Sequence, residues 1–190
     1  MITVDATGID AAEEALAAFP GAVERAVVRA LNRASLAGRT AAVKGSAERY
    51  AVRQRDVRER ISIAPATRDE LEITIKSTSG SISMTRFPHT PTAAGTGGPG
   101  RRPLRVEIKR GGKVPVRGAF IAPLNSGLRI MIRTGQRTAS GKAAIASLYT
   151  VPIGIMMGAS VVRAGVEERA LEVFDQRLAH EVDRAMEERS

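Results

Sequence analysis

The sequence contains no cysteine and no tryptophan, and its aromatic side chains amount to two tyrosines and four phenylalanines in 190 residues. Without cysteine, disulfide bonds, thiolate catalysis and cysteine-ligated metal sites are excluded. Because aromatics make up only 3% of the chain, a surface that stacks nucleic-acid bases is poorly supplied. The hydrophobic share of 43% still favours a folded globular chain, with a core built mainly from Ala, Val, Ile and Leu.

Long apolar runs are also missing. No run approaches the roughly 20 residues that a membrane-spanning helix needs. The first ten residues, MITVDATGID, lack the basic and apolar regions of a secretion signal. We therefore expect no membrane contact and a cytoplasmic site of synthesis and folding.

Motifs for catalysis or cofactor binding are scarce. GTGGPG at residues 95–100 matches G-x-G-x-x-G but lacks the flanking strand and helix of a dinucleotide site. GQRTASGKA resembles a phosphate-binding loop, but five residues separate Gly135 from Gly141 where such a loop has four, and Ala143 replaces its Ser or Thr. His89 lies in a Pro- and Gly-rich segment and His180 adjoins Glu181, without further metal-ligand spacing. We predict no catalytic, cofactor or metal site, and a protein that is not an enzyme.

The net charge of +9 is concentrated in the middle of the chain. Residues 1–50 are neutral overall, residues 51–150 carry eighteen basic against six acidic side chains, and residues 151–190 carry five against eight. This distribution favours a negatively charged partner, either nucleic acid or an acidic protein surface, over a merely solvated basic face. The candidate contact residues are Arg53, Arg55, Arg58, Arg101, Arg102, Lys109, Arg110, Lys113, Arg117, Arg133 and Arg137.

Apolar periodicity predicts helices at both ends of the chain. A short helix is expected over residues 11–19, a long one from Pro20 to about Arg49, a short basic one over 54–60, and a closing one over 161–188. Alanine-rich spacing on the long helix predicts that its partner approaches closely, despite Gly38 and Gly45. The candidate packing or oligomer residues are Val23, Val27, Ala30, Ala34, Leu171, Phe174, Leu178 and Val182.

Between these helices the period changes to two residues. Alternation predicts strands around residues 71–75, 82–84, 104–108, 114–116 and 128–132, with Gly111-Gly112 as a two-residue hairpin turn. We expect one antiparallel sheet with an apolar and a polar face, and flexible loops at residues 88–103 and 134–142. The fold class is therefore α+β, as a single domain of residues 1–190: helices at 1–49, a basic β region at 50–157, and a helix at 158–190.

DNA binding is an open alternative. The basic clusters could neutralise phosphates, and a helix-turn-helix around Tyr50 is conceivable, although its second helix would be short and contain Asp56 and Glu59.

Three segments together resemble the minor tail protein Z family of tailed phages and prophages. They are an Ala- and Arg-rich helix leading into QRDVRERI, the segment VPVRGAFIAPLNSGLRIMIRTG, and IASLYTVPIGIMM ahead of the closing helix. Thr150 departs from the Gly-Pro of the family at that point. The resemblance covers most of residues 20–190.

This resemblance implies a structural virion protein that completes the tail at the head–tail junction. It implies a homo-oligomeric ring, often hexameric, that contacts the tail terminator, tail tube or connector and through which the genomic DNA passes. It brings no catalytic residues. A basic DNA-binding protein of phage origin is the alternative function.

Overall fold

The computed structural model describes residues 1–5, 10–15, 21–78, 80–94, 103–125 and 127–187. Helices and antiparallel strands are segregated along the chain, with a long helix towards each end, so the predicted α+β class is confirmed. The helices are α1 (Asp10–Ala15), α2 (Ala22–Arg49), α3 (Gln54–Arg58), α4 (Ile153–Met157) and α5 (Ser160–Glu187), with a 3₁₀ turn at Met84–Arg86. The strands are β1 (Ile2–Asp5), β2 (Ile61–Ala64), β3 (Glu72–Ser77), β4 (Ser81–Ser83), β5 (His89–Thr90), β6 (Leu104–Val106), β7 (Val114–Val116), β8 (Ala119–Leu124), β9 (Gly127–Arg137), β10 (Ala143–Ser147) and β11 (Tyr149–Pro152).

The long helices α2 and α5 pack against each other in antiparallel orientation. An added Cβ on Gly38 would lie 3.5 Å from the Cβ of Ala170 and 2.8 Å from Cδ1 of Ile75, so glycine allows the closest approach. Val27, Ala30 and Ala34 are fully buried in this seam, and Val23 is partly buried beside it. The close helix packing predicted from the alanine-rich spacing is therefore found.

On α5, Phe174, Leu178 and Val182 are buried as predicted, but Leu171 is 40% exposed. Leu171 therefore lies outside the buried face of α5 and stays a candidate oligomer residue. The buried face passes instead through Ala170, Val166 and Val162. At the level of Gly38 the two helices are too close for a leucine, so the small Ala170 faces α2 and the next residue, about 100° further round the helix, faces solvent.

The strands form four small antiparallel sheets, with strand orders β1-β3-β2, β11-β4, β5-β6-β7 and β10-β9-β8. The strands are antiparallel as predicted, but the prediction of one two-faced sheet is wrong, because they pair only within these four groups. Strand β1 was not predicted, since four residues are too few to show a period. Ile2 pairs with Ile75 on β3 and is buried, which ties the start of the chain to the centre of its sheet.

The connection between β6 and β7 contains Gly111-Gly112 but is longer than the two residues predicted, because pairing ends at Val106 and Val114. The extra residues pack on the end of α2. The Ala51 N–H donates to the Ile108 carbonyl at 2.9 Å, and the Arg110 N–H donates to the Arg49 carbonyl at 3.0 Å. Docking onto the helix end takes the place of a tight hairpin.

Two predicted loops contain regular structure. His89–Thr90 of the segment 88–103 forms β5 against β6, whereas residues 95–102, including the GTGGPG motif, lie outside the described residues. Residues 134–142 form the end of the β9–β10 hairpin, closed where the Thr138 N–H donates to the Lys142 carbonyl at 2.8 Å. Because this end is exposed on both faces, its strands lack the apolar alternation that would have predicted them.

Candidate interaction surfaces

Arg110, one of the candidate contact residues, caps the C-terminal end of α2. Its Nε donates to the Ala47 carbonyl at 2.7 Å, and its own N–H bonds the Arg49 carbonyl. The last carbonyls of a helix lack intrahelical donors and carry partial negative charge. This contact therefore gives Arg110 a structural role within the chain, beside an open cleft of about 750 Å³ that Lys44, Glu48 and Arg53 also line.

The candidate contact residues at α3 are all exposed, namely Arg53, Arg55 and Arg58. Arg55 lies 3.6 Å from Glu59 in an exposed ion pair. The helix has five residues, about 7.5 Å in length, and its Asp56 and Val57 point into the core. A helix this short and anchored on its inner side is a poor recognition helix for the major groove, so the geometry does not support the helix-turn-helix interpretation.

The β5–β7 sheet carries a second basic group. Lys113 Nζ donates to Thr90 Oγ1 at 2.5 Å, and the Arg105 guanidinium donates to the Lys113 carbonyl, so these side chains tie β7 to its neighbours. Lys109 and Arg117 are exposed. Among the described contacts, neither side chain has an ion-pair or hydrogen-bond partner, which leaves both available to bind another molecule. Arg101 and Arg102 lie outside the described residues.

The β8–β10 sheet has one face in the core and a second face that is outward at Arg133 and Ile145, although Met131 on that face is buried. Ala119, Ile121 and Ile130 occupy the core face. On the outward face the Arg133 guanidinium lies 5.0 Å from the centroid of the Phe120 ring. Arg137, further along β9, donates to the Gly141 carbonyl at 2.7 Å within its own hairpin.

The structure does not gather the predicted basic residues into one patch. The described ones lie on α3, on the β6–β7 connection at the end of α2, beside β7 and on the β8–β10 sheet, and the cleft at the end of α2 brings Arg53 and Arg110 together. The candidate contact residues do not by themselves show that a long segment lacks acids. Residues 108–166 contain nine Lys or Arg and neither Asp nor Glu. This segment includes β7 to β11 and α4, so every charged side chain on those elements is basic.

Strand β11 shows an inverted pattern of burial. Tyr149 and Val151 are 50% and 42% exposed, whereas Thr150 between them is 7% exposed. The Thr150 hydroxyl donates to the Ile82 carbonyl at 3.2 Å, which holds β11 on β4. The buried Thr150 hydroxyl thus has a hydrogen-bond partner, whereas the apolar side chains of Tyr149 and Val151 face solvent. Apolar side chains mark a surface that another molecule covers where they form a contiguous patch, whereas single ones are common on any protein.

Two buried carboxylates were not singled out by the sequence. Asp56 is 5% exposed and Glu181 is 7% exposed. Arg86 Nη1 donates to Asp56 Oδ1 at 2.6 Å, and Arg29 Nη1 donates to Glu181 Oε2 at 3.2 Å. The signal available for Glu181 was its position between Leu178 and Val182 of the apolar stripe, where an acid must be paired.

Among the contacts of the described residues, neither histidine is paired with a carboxylate. His89 Nδ1 lies 2.7 Å from the Phe87 carbonyl oxygen, and His180 is exposed. Across the described ranges, no group of three His, Cys, Asp or Glu side chains could hold a metal ion. No helix in the same residues is long and apolar enough to cross a membrane.

The chain is an α+β protein that combines two long packed helices with four small antiparallel sheets and leaves basic and apolar side chains exposed. The sequence model of prophage minor tail protein Z matches residues 7–189. The chain belongs to this family, and it is a structural protein of a phage tail. No curated protein and no solved structure match it.

Proposed function

We propose that this protein completes the phage tail at the head–tail interface, as a ring of identical subunits through which the genome passes. Six copies are the expected number for such a ring. The ring docks onto the tail terminator, the tail tube or the connector, and it is assembled in the host cytoplasm before it becomes part of the virion. It performs no catalysis.

The observation that carries this proposal is the exposed apolar surface of β11. Tyr149 and Val151 face solvent from a strand whose polar Thr150 is buried, and Ile155 and Val161, shortly after it in the chain, are 58% and 69% exposed. Burying apolar area stabilises an interface by about 25 cal/mol per Å². A protein that leaves these side chains uncovered as a single copy is suited to a place between other subunits.

The test is the oligomeric state in solution together with the position in the particle. Mass photometry of the purified protein is expected to show a closed oligomer, and cryo-electron microscopy of the virion a ring between head and tail. Replacing Tyr149 and Val151 with serine should lower the amount of the protein in purified virions, whereas Val114→Ser on β7, which shortens a side chain that is 60% exposed, should not. A ring absent from the head–tail junction of the virion would contradict the proposal.

Binding of DNA is the second candidate function, and the acid-free segment 108–166 is the observation that favours it. A protein that contacts six or more phosphates loses about a thousandfold in affinity between about 50 and 200 mM salt. Fluorescence anisotropy with duplex DNA measures this loss directly. A monomer with tight, salt-sensitive DNA binding would favour this function over the ring.

A further inference from the structure

We infer that successive subunits of the proposed ring join head to tail, with the outward face of the β8–β10 sheet of one copy docking on the outward face of α5 of the next. The inference rests on the proposed ring and adds the two surfaces that form its contact. It follows from the charge and burial of these two faces, which are complementary and belong to the same chain.

The outward face of the β8–β10 sheet combines basic and apolar side chains. In the strand register Arg133 lies opposite Ile145, and Met131 beside them, between Phe120 and Ser147, is 3% exposed, so the docking surface is the part of this face around Arg133 and Ile145. Ile145 is 48% exposed, and Arg133 is exposed above the Phe120 ring. Stacking on an aromatic ring holds a guanidinium in a defined position with its N–H groups free to meet a carboxylate. The sheet therefore offers a preformed cationic contact beside an exposed aliphatic one.

The outward face of α5 has the opposite charge with a similar mixture. It lies on the side of the helix away from α2 and contains Glu168, Leu171, Glu172 and Asp175, all exposed. Glu172 pairs with Arg169 at the margin of this face. In the contacts of the described residues, Glu168 and Asp175 have no cationic partner, and they flank Leu171 at helical spacings of three and four.

The sheet face is basic and the α5 face is acidic, and each also exposes an aliphatic side chain. An arginine beside an exposed isoleucine can meet carboxylates beside an exposed leucine, with apolar contact at the centre and charge pairs around it. The exposed Ile145 fits a protein partner better than a phosphate backbone, which offers no apolar contact there. Because the two faces differ, the contact is heterologous, and heterologous contacts that close produce rings.

Charge reversal on either face tests the inference with the full-length protein. The sheet variant is Arg133→Glu and the helix variant is Glu168→Arg combined with Asp175→Arg. Each alone is expected to raise the dissociation constant of the oligomer, followed by sedimentation velocity, about tenfold or more. An equimolar mixture of the two variants should restore assembly, because each defective face then meets its reversed counterpart. Lys76→Glu on β3, an exposed site with the same change of charge, is the control and should leave assembly unchanged.

The outcomes separate the inference from the ring itself. An oligomer that persists in both variants, or a mixture that fails to assemble, overturns the head-to-tail contact while the ring stands. A wild-type chain that remains monomeric at every concentration overturns both. Loss of DNA binding in Arg133→Glu, with unchanged assembly in the helix variant, would assign the basic face to DNA and overturn the inference.

Discussion

Arg86 at the end of the 3₁₀ turn donates a hydrogen bond of 2.6 Å to Asp56 on α3, 30 residues earlier in the chain. The carboxylate is 5% exposed and the guanidinium 52% exposed, so the charge that cannot reach water is the acid. Val57 beside it is fully buried. The QRDVRERI segment, whose basic residues suggested DNA contact, thus fastens α3 to the strand region through its aspartate and valine.

This pair predicts an asymmetric response to mutation. Arg86→Met leaves Asp56 as an uncompensated buried charge and should lower the free energy of unfolding by about 2–3 kcal/mol. Asp56→Asn removes the buried charge, and the half-exposed Arg86 can return to water, so the loss should be smaller, about 1 kcal/mol. Urea unfolding followed by circular dichroism measures both values. Equal losses in the two variants would show that the buried carboxylate is not the costly partner.

A second prediction concerns Glu181, which joins α2 to α5. Its Oε2 accepts from Arg29, and its Oε1 lies 3.7 Å from Arg177 Nη2. Glu181→Gln should cost about 1–3 kcal/mol of unfolding free energy, since two guanidinium groups lose their counter-charge. Asp183→Asn on the exposed side of the same helix is the matched control and should change stability by less than about 0.5 kcal/mol. If both variants unfold at the same urea concentration, Glu181 does not hold the helices together.

The glycines of the long helices give a third prediction. An added Cβ on Gly38 meets Cδ1 of the fully buried Ile75 at 2.8 Å, so Gly38→Val should overpack the seam and cost about 3 kcal/mol. An added Cβ on Gly165 has no heavy atom within 4 Å, so Gly165→Ala should stabilise α5 by up to about 1 kcal/mol. Thermal unfolding compares the two directly. A stabilised Gly38→Val protein would mean that the helices do not pack as closely as described.

The two long helices were the best defined by the sequence, and among the short elements α3, β4 and β7 were also predicted close to their observed positions. Helices α2 and α5 each extend over 28 residues, long enough for periodicity to define them within one or two residues of their ends. Strand β1 and the end of the β9–β10 hairpin were not predicted, because the first is too short to show a pattern and the second has no buried side. Which of the candidate packing or oligomer residues of α5 are buried was not predictable, because apolar spacing does not reveal that Gly38 brings α2 close to Ala170.

For the candidate contact residues, too, only part of the outcome was predictable from the sequence. Composition alone revealed that the middle of the chain is basic, but which arginines serve the fold depends on tertiary contacts. Arg110 caps a helix from 63 residues away, and no local pattern encodes that distance. Arg133 has its orientation from Phe120 on the neighbouring strand, which depends on the register of β8 against β9.

The fourth prediction distinguishes folding from assembly on α5. Phe174 is 1% exposed in the helix seam, and Phe174→Asp places an unpaired charge in the core, which should cost about 4 kcal/mol or more and leave little folded protein. Leu171→Asp, three residues earlier and 40% exposed, should change the unfolding free energy of the monomer by less than about 1 kcal/mol. The same change removes the apolar contact at the centre of the outward α5 face, so we expect weaker self-association from a folded chain. Circular dichroism reports the first quantity and sedimentation velocity the second. A Leu171→Asp chain that is unfolded would return this residue to the core, and one that assembles like the wild type would remove it from the subunit contact.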